Sequence, residues 1–216
     1  VNSGSVSATN DFNIAPGGTL TVTGGTLDIS GRSILTGGSV ASGQGVTINV
    51  NGGTLTTSNA TNIDLRGECI FAGSAFTYNG NLIVRNQLVP LPSGATSFGS
   101  GARMDLRANG SISTNSPQFN SGSTLAYNTG NTRIPGLEWA AGSSSGVAVP
   151  HHVVIGDAVA NSVVSFGTVS QFRRAIGNLE VSNAYSGNGL TLSSNLGGDL
   201  QIGGNFIQNG TFTHNT

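Results

Sequence analysis

Residues 17–31 read GGTLTVTGGTLDISG, and this stretch contains the pattern that decides the fold. The four letters GGTL begin at Gly17, again at Gly24 and a third time at Gly52. In each copy two glycines precede Thr-Leu, and after the first two copies polar and apolar residues continue to alternate. Glycine accepts the positive-φ conformations that sharp corners need, and such alternation is typical of a strand with one buried face. The stretch therefore predicts strands of about five residues joined by tight corners.

The same alternation continues along most of the chain. The apolar residues that recur at every second position include Val46, Ile48 and Val50, Ile63 and Leu65, Ala102, Met104 and Leu106, Leu179 and Val181, Leu190 and Leu192, and Leu200 and Ile202. Helical periodicity is nearly absent. The best helical candidate, Gln171–Glu180, is interrupted by a Gly-Asn pair, so the pattern there does not favour a helix.

Two all-β architectures are compatible with short strands, namely hairpin-based sandwiches or barrels and β-solenoids. Small corner residues between strands of near-regular length favour the solenoid. We therefore predict a single right-handed parallel β-helix over residues 1–216, with possible subdivision near 88–96 or 136–150. About ten coils of roughly 20 residues, stacked about 4.8 Å apart, would form a rod of about 50 Å. Thr, Ser and Asn on its outer faces would form ladders from coil to coil.

The composition excludes several classes of protein. Only 8% of the residues are charged, against about 25% in ordinary globular domains. The formal net charge of −1 argues against disorder. All eight basic residues are arginines that form no dense cluster, so nucleic acid is not an expected partner. We also expect no membrane insertion, because no apolar run of about 18 residues occurs.

Few residues suggest metal or thiol chemistry. Cys69 is the single cysteine, which excludes an intrachain disulfide, and its apolar strand predicts a buried inert thiol. His151 and His152 would point to opposite faces of a strand, so a surface role is favoured over a metal site. We predict no cofactor, no metal and no catalytic residues.

Charged residues alternate along two of the predicted strands. The two sets are Asp64, Arg66 and Glu68, and Arg103, Asp105 and Arg107. Within each set the side chains share a face, because they lie two residues apart. The favoured interpretation is a solvated ladder of ion pairs. The alternative is the groove of a polysaccharide lyase or hydrolase, in which Asp64 and Asp105 would face each other.

The second half of the chain carries a characteristic order of motifs. They are STLAYN at 123–128, GLEW at 136–139, HVVI at 152–155, RRAIGNLEV at 173–181 and LQIGGNFIQNGTF at 200–212. This order, within residues 120–216, resembles secreted β-solenoid surface proteins of the Bacteroidota, which are often exported by the type IX system. The first half resembles autotransporter-like and adhesin-like β-helices in style. The resemblance implies an extracellular location and a structural or adhesive role. It supplies no catalytic motif, and that family's C-terminal sorting domain is not found in these residues.

The predicted function is mechanical: a subunit of a bacterial cell-surface filament, stalk or matrix. A solenoid presents unpaired strand edges at both ends, and no amphipathic capping helix is predicted near either end. Head-to-tail pairing with another copy, or with neighbouring solenoid repeats, would cover those edges. The residues predicted to form the self-assembly ends are Val1, Phe12, Ile14, Phe206, Ile207 and Phe212.

One alternative function is a glycan-binding adhesin. Sugar-binding sites favour exposed aromatic platforms, and Trp139 with Tyr127 are the candidates. Surface glycans would then be the partners. The polysaccharide-active enzyme is the third hypothesis.

Overall fold

The computed structural model describes the strand backbones before residue 74 and most of the chain after it. The described residues are 5–7, 12–14, 19–22, 26–28, 33–36, 46–50, 54–56, 62–65, 69–73, 77–85, 88–91, 96–140, 142, 145–167, 172–193 and 200–214. Before residue 77, side-chain burial is described for Leu20 and Ile63.

Short strands account for nearly all of the regular structure in these residues. The strands of the first half are β1 (Ser5–Ser7), β2 (Phe12–Ile14), β3 (Thr19–Val22), β4 (Thr26–Asp28), β5 (Ser33–Thr36), β6 (Val46–Val50), β7 (Thr54–Thr56), β8 (Asn62–Leu65), β9 (Cys69–Gly73), β10 (Thr77–Tyr78), β11 (Asn81–Arg85), β12 (Leu88–Pro90) and β13 (Ser97–Phe98). Those of the second half are β14 (Arg103–Arg107), β15 (Ser111–Thr114), β16 (Gln118–Phe119), β17 (Thr124–Asn128), β18 (Thr132–Arg133), β19 (His152–Ile155), β20 (Val163–Ser165), β21 (Arg173–Ala175), β22 (Leu179–Val181), β23 (Gly189–Leu192), β24 (Leu200–Ile202), β25 (Phe206–Gln208) and β26 (Thr211–His214). A 3₁₀ turn spans Leu137–Trp139.

The strands stack in parallel on three faces, which the chain visits in turn. The first face is one nine-stranded sheet, β2-β5-β8-β11-β14-β17-β19-β22-β25. The second face holds β3-β6-β9, β12-β15 and β18-β20-β23-β26, and the third holds β1-β4-β7, β10-β13-β16 and β21-β24. This is a β-solenoid, as the sequence predicts. Its right-handed sense stays a prediction.

The GGTL repeats act as strand starts. Strands β3, β4 and β7 each begin at the threonine of a GGTL copy. The second and third copies stack directly on each other, with Thr26 beside Thr54 and Leu27 beside Leu55. The glycines themselves lie outside the described residues. Like residues therefore stack on like residues in successive coils.

Coil length varies more than the sequence suggests. Successive positions of one ladder on the first face lie 19 residues apart from Ile63 to Leu82 and 29 apart from Ile34 to Ile63. The longer coils carry their additional residues between strands, so the sheet itself is uninterrupted. Strands β11 and β14, which precede and follow residues 88–96 in the sequence, pair with each other. Strands β17 and β19, which precede and follow residues 136–150, also pair. The division of the chain at those two segments stays a prediction.

The core consists of apolar ladders that run along the solenoid. On the first face the buried members of one ladder are Ile63, Leu82, Met104, Leu125, Val153 and Leu179. Those of the second ladder are Val84, Leu106, Tyr127, Ile155 and Val181. Each member covers the one before it, so a side chain is removed from water only when coils lie on both sides of it.

Asparagine side chains close several corners over glycines of neighbouring coils. A Cβ atom at Gly156 would overlap the side-chain amide of Asn188. That amide is buried, donates to the Gly156 carbonyl at 2.7 Å and accepts from the Ser162 N–H at 3.0 Å. The pairs Gly99 with Asn79 and Gly204 with Asn178 repeat the arrangement. The abundance of glycine and asparagine therefore has a packing reason as well as a conformational one.

Candidate functional site: the exposed edge of the last coil

Three strands form the outer edge of the last coil that the structure describes. Strand β24 is the last on the third face, β25 the last on the first and β26 the last on the second. In the described part of the chain no strand pairs with their outer sides. Each therefore presents a row of backbone N–H and C=O groups suited to pairing with another strand.

One ladder of the first face and one ladder of the second face reach the surface at this edge. Leu179 is 0% exposed, whereas Phe206, the next residue of its ladder, is 38% exposed. Leu190 is likewise 0% exposed, and its neighbour Phe212 is 40% exposed. The Phe206 and Phe212 rings lie edge to face with centroids 5.2 Å apart. The end of the coil is thus an apolar surface with a packed aromatic pair.

Ile207 follows Phe206 in β25, so its side chain points to the opposite face of the strand. It pairs with Glu180 of the preceding strand and is 36% exposed. Strands β24, β25 and β26 contain no Lys, Arg, Asp, Glu or Pro. Those residues are the usual means of protecting a sheet edge from association. Phe206, Ile207 and Phe212, predicted from the sequence to form an assembly end, lie on these edge strands, and their role in assembly stays a prediction.

The other predicted end is described less fully. Phe12 and Ile14 lie in β2, which forms the edge of the nine-stranded sheet opposite β25. Their side chains are outside the description, and Val1 is outside the described residues.

The structure corrects the prediction of an aromatic glycan platform. Trp139 and Tyr127 are both 0% exposed. Trp139 packs edge to face on Phe166 with centroids 5.5 Å apart, and its indole N–H donates to the Arg174 carbonyl at 2.9 Å. Both rings therefore belong to the hydrophobic core. They provide no surface for a sugar.

Two buried charged side chains, Glu138 and Arg173, form hydrogen bonds with these two residues. Glu138 is fully buried and accepts hydrogen bonds from the Tyr127 hydroxyl at 3.2 Å and the Gly136 N–H at 2.9 Å. Burial, followed by the negative charge of Glu138, raises the pKa of Tyr127 well above its usual value. Arg173 is also buried, donates to the Trp139 carbonyl at 3.1 Å and stacks on Phe166. Sequence analysis missed this cluster, since Glu138 and Arg173 are 35 positions apart and only the coil brings them together.

The charged residues form one ion pair within strand β14 and a second one between coils. Asp64 pairs in register with Ile83, which pairs with Asp105, so one coil separates the two acidic positions. Asp105 is 2% exposed and accepts from Arg107 at 2.8 Å and from the Asn128 side chain at 2.9 Å.

A second ion pair closes over the same face. Arg103 donates to Asp157 at 2.6 Å, and Asn128 donates to the same Asp157 oxygen at 2.9 Å. Ala126, which pairs in register with Asp105 on the next strand, is 0% exposed. Both oxygens of Asp105 are thus engaged and covered, so Asp105 does not line an open groove. Arg66 and Glu68 lie outside the described residues.

The two adjacent histidines lie closer together than strand alternation predicts. Their ring centroids are 4.3 Å apart, because His151 precedes β19 and sits in the corner rather than in the strand. His151 contacts the Ser121 hydroxyl at 3.3 Å, and His152 Nδ1 accepts the Asn178 N–H at 3.0 Å. Partial burial, and secondarily His151, lowers the pKa of His152. Within the described ranges no three His, Cys, Asp or Glu side chains gather to hold a metal ion.

Comparison with protein-family models, with curated proteins and with solved structures finds no match for this chain. In the described part of the chain no helix has the length and apolar character needed to cross a membrane.

Proposed function

We propose that the protein is a structural β-solenoid subunit of an extracellular filament, stalk or matrix, and that it assembles head to tail through its strand edges. The observation that carries this proposal is that one ladder of the first face becomes exposed at Phe206 and one ladder of the second face becomes exposed at Phe212. Phe206 and Phe212 are 38% and 40% exposed, whereas the residues before them in these ladders, Leu179 and Leu190, are fully buried. Another solenoid end is the partner that would continue both the ladders and the backbone pairing.

The composition supports association of this kind. With 8% charged residues and a net charge of −1, little electrostatic repulsion opposes the contact of two copies. Contacts between non-identical ends that do not close into a ring produce filaments. The extracellular location, and a relation to secreted surface proteins of the Bacteroidota, are part of the proposal and rest on the motif order in residues 120–216.

Neither alternative function has comparable support. The adhesin hypothesis depended on Trp139 and Tyr127, which are buried. The enzyme hypothesis depended on an open groove beside Asp105, which is covered and fully hydrogen-bonded.

Negative-stain electron microscopy and light scattering over a concentration series test the proposal. We expect filaments or short rods, with an axial repeat near nine coil spacings, about 43 Å at 4.8 Å per coil. A compact monomer at every concentration would overturn the proposal.

A double variant, Phe206→Glu with Phe212→Glu, should abolish assembly, because it places two charges in the proposed interface. The matched control is Ile134→Glu with Tyr185→Glu, at residues of inner coils that are 60% and 47% exposed. If exposure alone drove association, the control would weaken assembly at least as much. We expect it to leave assembly unchanged.

A further inference from the structure

We infer that Asn109 is a site of spontaneous deamidation, at which the nitrogen of Gly110 attacks the side-chain amide. Glycine after asparagine favours this attack, because it has no Cβ to shield its nitrogen and it adopts many backbone conformations. The sequence contains five Asn-Gly pairs, which begin at Asn51, Asn79, Asn109, Asn188 and Asn209. Three of them, at 79, 109 and 188, belong to inner coils that have described coils on both sides. The inference does not depend on the proposed function.

The reaction needs no partner other than water. The Gly110 nitrogen forms a bond to Asn109 Cγ, the Cγ–Nδ2 bond breaks, and ammonia leaves with the proton that the glycine nitrogen loses. The product is a cyclic succinimide. Water then opens one of its two carbonyl groups, which gives aspartate or isoaspartate at position 109. The step is a substitution at an acyl carbon, so it requires neither an oxidant nor a reductant.

Asn109 lies in an exposed corner between β14 and β15. The corner is a local turn, in which Ala108 has a φ of 49° and the Gly110 N–H donates to the Arg107 carbonyl at 2.9 Å. Asn109 Oδ1 accepts from the side-chain amide of Asn131 at 3.3 Å, a long bond at the surface that water can replace. The turn can open without separating two coils. Rotation of the side chain can then bring Cγ to about 3–3.5 Å from the glycine nitrogen, the separation from which reaction proceeds.

Packing requires the glycine at this corner. A Cβ atom at Gly110 would overlap the carbonyl oxygen of Val84 in the neighbouring coil and lie 2.7 Å from the carbonyl carbon. These are backbone atoms of a paired strand, so they cannot move aside as the end of a long side chain can. The residue that makes Asn109 reactive is therefore fixed by the stacking of coils.

The side chain of Asn188 is held in a packed corner. It is 2% exposed, its Nδ2 donates to three backbone carbonyls at 2.7, 3.2 and 2.8 Å, and its Oδ1 accepts from the Ser162 N–H at 3.0 Å. The Gly189 N–H donates to the Ser162 carbonyl at 3.0 Å, which is a bond between coils. Asn79 is half-buried and fills the space over Gly99, where a Cβ atom would overlap its Oδ1. The same dipeptide therefore has much less freedom to react at 79 and 188 than at 109.

Isoaspartate at position 109 would disturb the corner. In isoaspartate the main chain passes through the side-chain carbons, so one additional carbon separates residue 109 from Gly110. This displaces Gly110 from the Arg107 carbonyl and from its close packing against Val84. We expect aged protein that contains isoaspartate to have a lower urea midpoint than fresh protein.

Peptide mass spectrometry of aged protein tests the inference. The purified full chain is incubated at mildly alkaline pH and digested at acidic pH, and each Asn-Gly peptide is measured for the mass gain of an amide converted to an acid. An isoaspartate methyltransferase measures the isoaspartate fraction. We expect Asn109 to convert at least about tenfold faster than Asn188, because one or two net hydrogen bonds already change a rate by that factor. Asn109 should also convert faster than Asn79.

Two controls separate the effect of structure from that of sequence. In concentrated urea the packing is lost, so Asn109 and Asn188 should convert at similar rates. Asn109→Gln should remove the modification at this position, because the additional methylene moves the amide carbon away from the Gly110 nitrogen. Conversion of Asn188 as fast as Asn109 in the folded protein overturns the inference. So does a folded protein in which Asn109 stays intact while the urea-unfolded chain converts. Neither outcome bears on filament formation.

Discussion

The inner coils and the last coil differ in one physical respect, which is whether a ladder residue is covered on both sides. Leu179 and Leu190 lie between coils and are fully buried, whereas Phe206 and Phe212 continue the same ladders and retain about two fifths of their surface in water. The sequence pattern is the same in both places. Position along the axis thus decides whether a ladder residue is buried, and in the proposed assembly the exposed ladder residues would form the interface.

The largest expected effect comes from truncating one ladder in both regions. Leu190→Ala should lower the free energy of unfolding by about 2–5 kcal/mol, because it leaves a cavity between two coils. Phe212→Ala should lower it by less than half as much in dilute monomer, since that ring is already 40% exposed. Urea denaturation measures both. Equal losses would mean that the last coil is as well packed as the inner ones.

Corner packing in the inner coils gives the next effect. Gly156→Ala combines a positive φ of 78° with overlap against Asn188, and we expect a loss of about 2–4 kcal/mol from backbone strain and disrupted buried hydrogen bonds. Gly142 has a φ of 79° and no atom within 4 Å of a built Cβ. Gly142→Ala should therefore show the strain alone, about 1 kcal/mol. Similar losses in the two variants would assign the whole effect to φ and none to the asparagine contact.

The ion pairs of the inner coils should differ according to burial. Asp105→Ala removes the acceptor of Arg107 and Asn128 at a site that is 2% exposed, and we expect a loss of about 1–3 kcal/mol. Arg103→Ala breaks a pair whose side chains are 24% and 31% exposed, and should lose less than about 1 kcal/mol. Urea denaturation at low and at high salt measures the loss of unfolding free energy in each variant. An Arg103→Ala loss as large as that of Asp105→Ala would show that the Arg103–Asp157 bridge holds the coils together.

The smallest expected effect is a pH dependence at the His151–His152 corner. Because the pKa of His152 is lowered in the folded state, the unfolded state binds a proton more readily as pH falls below about 6.5. The contribution of neutral His152 to the free energy of unfolding is therefore complete above that pH, and it decreases as the pH falls towards the lowered pKa. Protonation also removes the acceptor for the Asn178 N–H. Urea midpoints between about pH 5 and 8 should vary less in His152→Gln than in the wild type, and identical profiles would contradict the assignment.

Alternation and corner glycines were sufficient to predict the strands and their parallel stacking, because both follow from local conformational preference repeated in every coil. The exposure of Phe206, Ile207 and Phe212 agrees with their place on the last described strands, and their role in assembly stays a prediction. The adjacent histidines were misjudged because the strand begins at His152 rather than before His151. One residue of displacement at a strand boundary reverses the inference about which face a side chain occupies.

The sequence by itself determined the architecture of this protein. Period-two patterns and GGTL starts specify strands and corners from neighbouring residues alone. Only the tertiary structure decided that Trp139 and Tyr127 are core, that Asp105 is enclosed by Arg107 and Asn128, and that Phe206 and Phe212 share one surface. Burial and pairing in a solenoid depend on which residues of other coils lie above and below. That alignment varies with coil length, from 19 residues to 29, and is set only when the coils stack.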